Sequence, residues 1–433
     1  MSDVSIGIMM LCAMFGLMVL RMPVGIAMLV AGFFGTWWLN GFNSASALLV
    51  TETFSSASTY SLTVIPLFIL MGNIASQAGF SRRLYEAAFS WVGQFKGGLA
   101  SASVLGCAAF SAVSGSSVAT AVTIGKVALP EMRRFGYRNS LACGSIAAGG
   151  TLGFLIPPST GFVIYAILTE VSIGQLFVAG ILPGLLLTLL FITTIYLVAV
   201  FAPGSAPCGE KRDLSEKLRT LYLAAPLLSV ISISIGGIYA GIFTPVESAG
   251  IGAILVTLLA FGTKNLNMSQ FITSAKDTII TTAVLYMVVI GANILNPFLS
   301  LTHIPTSLGN LLLSFGLNEF GVLALIILAY IVLGMFMDGL AMLVITIPIF
   351  FPIVVSLGFD PIWFGIIAVI VIEMGMITPP VGLNVFIVKG VAGDVPLGQI
   401  FKGVFPFWIA MAVCLLLITL FPSIALLLPQ SMF

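Results

Sequence analysis

The run Gly153-Phe154-Leu155-Ile156-Pro157-Pro158 returns as Gly375-Met376-Ile377-Thr378-Pro379-Pro380, 222 residues further along the chain. Each double proline sits inside an apolar stretch long enough to cross a bilayer. Proline has no backbone N–H and its ring clashes with the preceding helical turn, so two in succession break a helix. Within hydrocarbon, broken backbone survives only where it is buried in protein or lines a polar cavity. A matched pair of interrupted apolar segments, one in each half of a chain, is the sequence mark of a secondary transporter's binding region.

The wider composition agrees. Apolar residues make up 59% of the 433 and charged residues only 7%, against about 25% charged in soluble domains. The chain reads as an all-α polytopic membrane protein. A net charge of +1 gives no case for nucleic-acid binding. Cys12, Cys107, Cys143, Cys208 and Cys414 are scattered without a CxxC spacing, which argues against a disulfide framework or a cysteine metal site. The first apolar run lacks a basic leader and a small-residue cleavage signal, so it reads as a retained span. The only histidine, His303, falls in a loop, and no H-E-x-x-H or phosphate loop is present, so neither a protease nor a nucleotide-driven pump is supported.

Further matches lie near the same offset: Pro23-Val24 with Pro245-Val246, Pro130 with Pro352, and Gly174-Gln175-Leu176-Phe177 with Gly398-Gln399-Ile400-Phe401. The repeats are predicted as 1–202 and 220–433, joined by a polar linker over 203–219 that holds seven of the charged residues. Lysine and arginine cluster at 82–96, 126–138, 211–219, 264–276 and 389–402, whereas the loops at 40–60, 167–173, 241–247, 300–320 and 357–362 have none. Basic loops stay cytoplasmic. Shifted by the repeat offset, each basic cluster within a repeat falls on a bare segment, so equivalent segments face opposite sides and the repeat is expected to be inverted.

The resulting path has spans near 4–20, 23–39, 61–78, 139–166, 174–201, 220–240, 246–262, 278–299, 363–388 and 404–428. Both termini then lie outside the cytoplasm. The stretches 98–130 and 320–357 begin and end on one side, and their arms are shorter than the roughly 30 Å hydrocarbon core, so both are predicted as re-entrant hairpins. Broken helices are predicted at 139–166 and 363–388. Segments near 81–95 and 204–219 carry mixed charge and read as amphipathic surface helices.

Four serines crowd the first hairpin tip, Ser111-Ala112-Val113-Ser114-Gly115-Ser116-Ser117. Hydroxyls in such apolar surroundings either bond their own backbone and neighbouring helices or bind a small cation or polar solute. The second tip, Met337-Asp338-Gly339, places Asp338 mid-membrane. A carboxylate there costs about 2.5–3.5 kcal/mol on insertion scales, so either a site or a hydrogen-bonded structural role must offset it. Glu373 raises the same question. Glu247 follows Pro245 at a helix start, where capping is expected. The Gly-to-Pro-Pro loops free carbonyls that suit a cation, Thr378, Ser159 and Thr160 add hydroxyls, and the half-helix N-termini beyond the breaks suit an anionic solute.

These stretches, together with Gly241-Ile242-Phe243-Thr244-Pro245-Val246-Glu247 and the run from Glu373 to Asn384, resemble the large membrane (M, DctM-type) subunit of tripartite ATP-independent periplasmic (TRAP) transporters over essentially the whole chain. The resemblance implies an inverted-repeat, elevator-type fold of the ion transporter superfamily in the bacterial inner membrane. It implies sodium-coupled import of an organic acid such as a C4-dicarboxylate or a sialic acid. The partners implied are a small four-helix Q subunit on a separate chain and a soluble periplasmic P protein that delivers the solute. Carried onto matching positions, one Na+ site would use Ser111, Ser114, Gly153, Ile156 and Pro158, mostly through carbonyls, and its counterpart Gly334, Gly339, Gly375, Thr378 and Pro380. Substrate would lie near Ser116, Ser159 and Asp338. A symporter working without a binding protein, a channel, and a docking scaffold are the competing readings; a channel would want a continuous polar pore, and a scaffold gives the duplicated breaks no purpose.

Overall fold

The computed structural model describes residues 2–314 and 316–432, and among these the ordered elements are helices throughout. The first half runs α1 (Asp3–Val19), α2 (Val24–Asn40), α3 (Phe42–Ser58), α4 (Val64–Gln77), α5 (Phe80–Val92), α6 (Gly98–Ser114), α7 (Ser117–Arg134), α8 (Asn139–Leu155), α9 (Thr160–Thr169) and α10 (Ile173–Phe201). The second runs α11 (Leu214–Tyr239), α12 (Pro245–Gly262), α13 (Met268–Leu301), α14 (Ile304–Ser314), α15 (Glu319–Gly334), α16 (Gly339–Ser356), α17 (Pro361–Met376), α18 (Leu383–Ala392), α19 (Leu397–Leu420) and α20 (Ser423–Gln430). Among the described residues, eight helical segments are long and apolar enough to cross a membrane.

Packing partners exchange between the halves. Helix α2 lies along α13, and α4 along α12. In the first half α6 and α7 pack on α8; in the second α15 and α16 pack on α17. The cross-pairs correspond as well: α7 meets α18 while α16 meets α9, and α8 meets α19 while α10 meets α17. The backbones of α2 and α13 approach closely through Gly25, Gly32 and Gly291, the small-residue contact that lets membrane helices gain packing energy where no hydrophobic drive exists between them.

Capping decides several boundaries. Thr244 and Glu247 form a reciprocal capping box at the start of α12, with Glu247 Oε2 accepting from Thr244 N–H at 2.8 Å, so Glu247 has the structural role expected of it. Asn267 and Gln270 form a second box. It starts α13 inside the basic segment at 264–276, earlier than hydropathy places the span. The bare stretches at 40–60 and 300–320 read as loops, yet they contain α3 and α14, residue 315 lying outside the described residues. Polar Phe42–Ser58 becomes helical because Gly41, at φ +86°, turns the chain so that α3 packs on α2 and α13. The stretch near 204–219 is not one surface helix. Residues 202–213 form turns and irregular backbone around Pro203, Gly204, Pro207 and Gly209, and α11 begins at Leu214. The irregular part is nonetheless tied down: Gly209 N–H donates to Gly93 O at 2.8 Å and Tyr137 hydroxyl to Pro207 O at 2.8 Å.

Candidate functional site

Helix α6 ends at Ser114, and a helix end leaves carbonyls without intrahelical donors. Gly115 turns the chain at φ +59° and its N–H returns to Ser111 O at 3.0 Å. Ser116 then opens α7 as its N-cap, accepting from Ala119 N–H at 3.4 Å. The hydroxyls at this tip are engaged locally: Ser111 donates to Cys107 O at 2.6 Å, and Ser114 pairs with Thr120 Oγ1 at 2.8 Å. Their carbonyls, rather than Ser111 and Ser114 side chains, are the oxygens left to a ligand.

The first helix break closes directly on this tip. After α8 ends, the Pro157–Pro158 peptide is cis, and Ser159 caps α9, donating to Phe154 O at 2.5 Å and accepting from Phe162 N–H at 3.3 Å. Gly115 O accepts both from Thr160 N–H at 3.2 Å and from Thr160 Oγ1 at 2.8 Å. A Cβ on Gly115 would fall 2.6 Å from Pro158 O, and one on Gly153 would fall 2.5 Å from Ser116 O. Two glycines therefore let main chain approach main chain, Gly115 against Pro158 O and Gly153 against Ser116 O. Ile156 is half-buried, with its side chain turned to Gly184 of α10.

The second half repeats the arrangement with differences. The Pro379–Pro380 peptide is also cis. Gly334 at the end of α15 lies against Gly375 of α17, where a Cβ on either would come within 2.8 Å of the other's Cα. Gly382 N–H, at the start of the second half-helix, donates to Met335 O of the hairpin tip at 3.4 Å. Gly339 is buried between Ile372, Met376 and Phe154. Thr378 hydroxyl donates to Met374 O at 2.6 Å and accepts from Trp408 Nε1 at 3.0 Å, so it too is spoken for. Pro157 and Pro158 are buried, whereas Pro379 and Pro380 are exposed, which leaves the second break the more open of the two.

Asp338 is exposed and is the N-cap of α16, its Oδ1 accepting from Leu340 N–H at 3.0 Å and Ala341 N–H at 3.1 Å. It lines a cavity of about 480 Å³ together with Val24 and Gly25 of α2 and Met287 and Val288 of α13. Ser159, by contrast, is buried with its hydroxyl committed to the first break. The three residues read from the sequence as one substrate group thus occupy different walls: Ser116 and Ser159 at the first tip and break, Asp338 toward α2 and α13. Replacing Asp338 by Ala should cost about 0.5–2 kcal/mol of stability through the lost cap, while Asn should retain it. Thermal unfolding of both variants measures the difference.

One constellation carried little weight in the sequence. Glu373 is 1% exposed, the single charged residue of α17. Its Oε1 accepts from Ser117 hydroxyl at 2.5 Å and its Oε2 from Asn384 Nδ2 at 3.3 Å. Ser117 is the first residue of α7 and Asn384 the second of α18, so one carboxylate joins the first hairpin tip to the second half-helix beyond the break. Among the described residues no cation pairs with it, and Asn384 Oδ1 is buried without a partner. An unpaired buried charge costs several kcal/mol, and ionisable groups kept at such cost inside membranes mark functional sites. The signal in the sequence was a lone Glu in an otherwise apolar helix ending at the Pro-Pro break.

Residues 11–424 match the family described as "Tripartite ATP-independent periplasmic transporter, DctM component". The chain belongs to this family. Its DctM-family relatives include the C4-dicarboxylate TRAP transporter large permease protein DctM of Pseudomonas aeruginosa, 38% identical over 88% of this chain and 89% of the relative. The ectoine TRAP transporter large permease protein TeaC of Halomonas elongata is 33% identical over 98% and 99%. The sialic acid TRAP transporter large permease protein SiaM of Vibrio cholerae is 32% identical over 96% of each chain. Among solved structures, the Alcanivorax borkumensis YdaH transporter superposes with a TM-score of 0.61 over 90% of this chain and 88% of that one, at 15% identity, a likeness of fold alone. Membership in the DctM family, with the eight apolar helical segments, makes the chain a multi-pass inner-membrane transporter component.

Proposed function

We propose that the chain imports an organic acid, handed over by a periplasmic binding protein, by coupling its passage to sodium ions. The observation that carries this reading is the paired tip-to-break contact, Gly115 O with Thr160 and Met335 O with Gly382 N–H. At each, a helix C-terminus meets the N-terminus of a half-helix; the contact itself occupies the Gly115 and Met335 carbonyls, and the neighbouring carbonyls of the broken backbone would serve a cation beside positive dipole ends for an anion. The first cation would rest among the carbonyls of Ser111, Ser114, Gly153, Ile156 and Pro158. The second would rest among those of Gly334, Gly339, Gly375, Thr378 and Pro380. With no arginine at either tip, the bound ions themselves would supply the charge that draws an organic anion toward Ser116 and the N-terminus capped by Ser159, while Asp338, itself an acceptor, could meet only a hydroxyl or amine of the solute. Ion binding then favours the loaded conformation only by its differential affinity for that state.

The relatives span transporters named for C4-dicarboxylates, sialic acid and ectoine, so organic acids are the class to test first. The isethionate TRAP transporter permease protein DctMQ of Oleidesulfovibrio alaskensis is 34% identical over 86% of this chain and 58% of its own length, and a Q component is among the partners this chain would work with. The hairpins would enter and leave the bilayer on one side each, moving with α8–α10 and α17–α19 against α2, α4, α12 and α13, and both termini would face the periplasm.

Protein reconstituted with its Q and P partners should accumulate solute under an inward sodium gradient. Equal uptake when potassium replaces sodium would overturn the coupling, and equal uptake without the P protein would favour a symporter that needs no delivery.

A further inference from the structure

Away from the tips and breaks, α5, the C-terminal half of α7 and the irregular linker border a cavity of about 570 Å³. Four basic side chains line it, Arg82, Lys126, Arg134 and Arg212, against two acidic ones, Glu86 and Glu131. Both carboxylates are already taken, Glu86 by Arg82 at 2.9 Å and Glu131 by Arg134 at 3.8 Å. Arg212 pairs outside the lining with Glu216 at 2.8 Å, and its guanidinium lies 4.9 Å from the centre of the Phe89 ring. Lys126 forms no ion pair among the described residues. Phe89, Val127 and Pro130 give this otherwise polar and charged lining one apolar wall.

The depth of the cavity is marked by its neighbours. Trp91 is 43% exposed with Lys217 Nζ 5.9 Å from its ring, and Phe95 and Tyr222 are 58% and 78% exposed. Exposed aromatic rings beside lysines mark the level of lipid headgroups, and the surrounding lysines and arginines place this face at the cytoplasmic leaflet. Basic pockets between helices on that side recognise anionic headgroups, attracted by the negative potential of the leaflet. We propose that this cavity holds a phosphate group, supplied by an anionic phospholipid headgroup whose acyl chains lie along the apolar wall. Lys126 and the Arg212 guanidinium would contact the phosphate oxygens. Because Arg212 belongs to the tethered linker and Lys126 to the moving arm of the first hairpin, a bound headgroup would clip the linker to α7.

The test is a thermal-shift titration of the purified full chain with phosphatidylglycerol, with phosphatidylcholine of identical acyl chains, and with inorganic phosphate. Phosphatidylglycerol should raise the melting temperature and phosphatidylcholine should not. Lys126→Gln and Arg212→Gln should each weaken the response by roughly fivefold, whereas Lys276→Gln, on a distant basic segment, should not. Inorganic phosphate matching phosphatidylglycerol would overturn the lipid source and leave a phosphate site. Equal shifts from both lipids, or a response indifferent to Lys126→Gln and Arg212→Gln, would overturn the site itself.

Discussion

Glu373→Ala is expected to abolish most uptake and to lower the melting temperature, whereas Glu373→Gln should keep the larger part of both. Alanine strands Ser117 hydroxyl and Asn384 amide, two buried donors, at roughly 1–3 kcal/mol each. Among the described residues it also cuts the only side-chain hydrogen bond between α17 and the first hairpin tip. Glutamine of the same length can still accept from Ser117, and its amide can donate to Asn384 Oδ1, which has no partner now, once the Asn384 amide turns over. Loss of roughly tenfold or more in uptake for Ala, against less than about threefold for Gln, fits a hydrogen-bonded brace. Equal and complete loss in both would mean that the charge of Glu373, not its bonding, is what transport requires.

The second large effect concerns backbone approach. Gly153→Ala puts a methyl 2.5 Å from Ser116 O, with Ser117 N 2.8 Å away, and neither atom belongs to a side chain that can swing aside. The tip of the first hairpin must lift off α8, which should remove sodium-dependent stabilisation and cut uptake by roughly tenfold or more, since misplacing a site by about 1 Å costs on the order of a hundredfold. Gly236→Ala serves as the control. That position has no atom within 4 Å of a new Cβ, so the substitution should be neutral or stabilise its helix by up to about 1 kcal/mol. Normal transport by Gly153→Ala would show that the tip does not work from the position seen here.

Why these positions differed in legibility follows from their physics. The double prolines announce themselves because proline acts on its own local backbone, and the same holds for the glycine turns and for the Thr244–Glu247 cap. Helix α3 was hidden because its Ser- and Thr-rich sequence has neither apolar length nor periodicity; packing on α2 and α13 makes it helical. Asp338 looked like a ligand because a mid-membrane carboxylate is costly, yet one of its oxygens is used in capping α16, which a sequence cannot distinguish from binding. The role of Glu373 is not legible locally because its partners, Ser117 and Asn384, lie 256 and 11 residues away. Only the crossing of α7, α8, α17 and α18 brings them together.

In the proposed mechanism each hairpin tip and the helix break it meets form a sodium site from backbone oxygens, two sites in all. Melting curves of the purified chain in NaCl and in KCl of equal ionic strength, for wild type and Gly153→Ala, test it most directly. The account predicts stabilisation by sodium alone, saturable in wild type and weakened or absent in Gly153→Ala; identical curves in the two salts would contradict it.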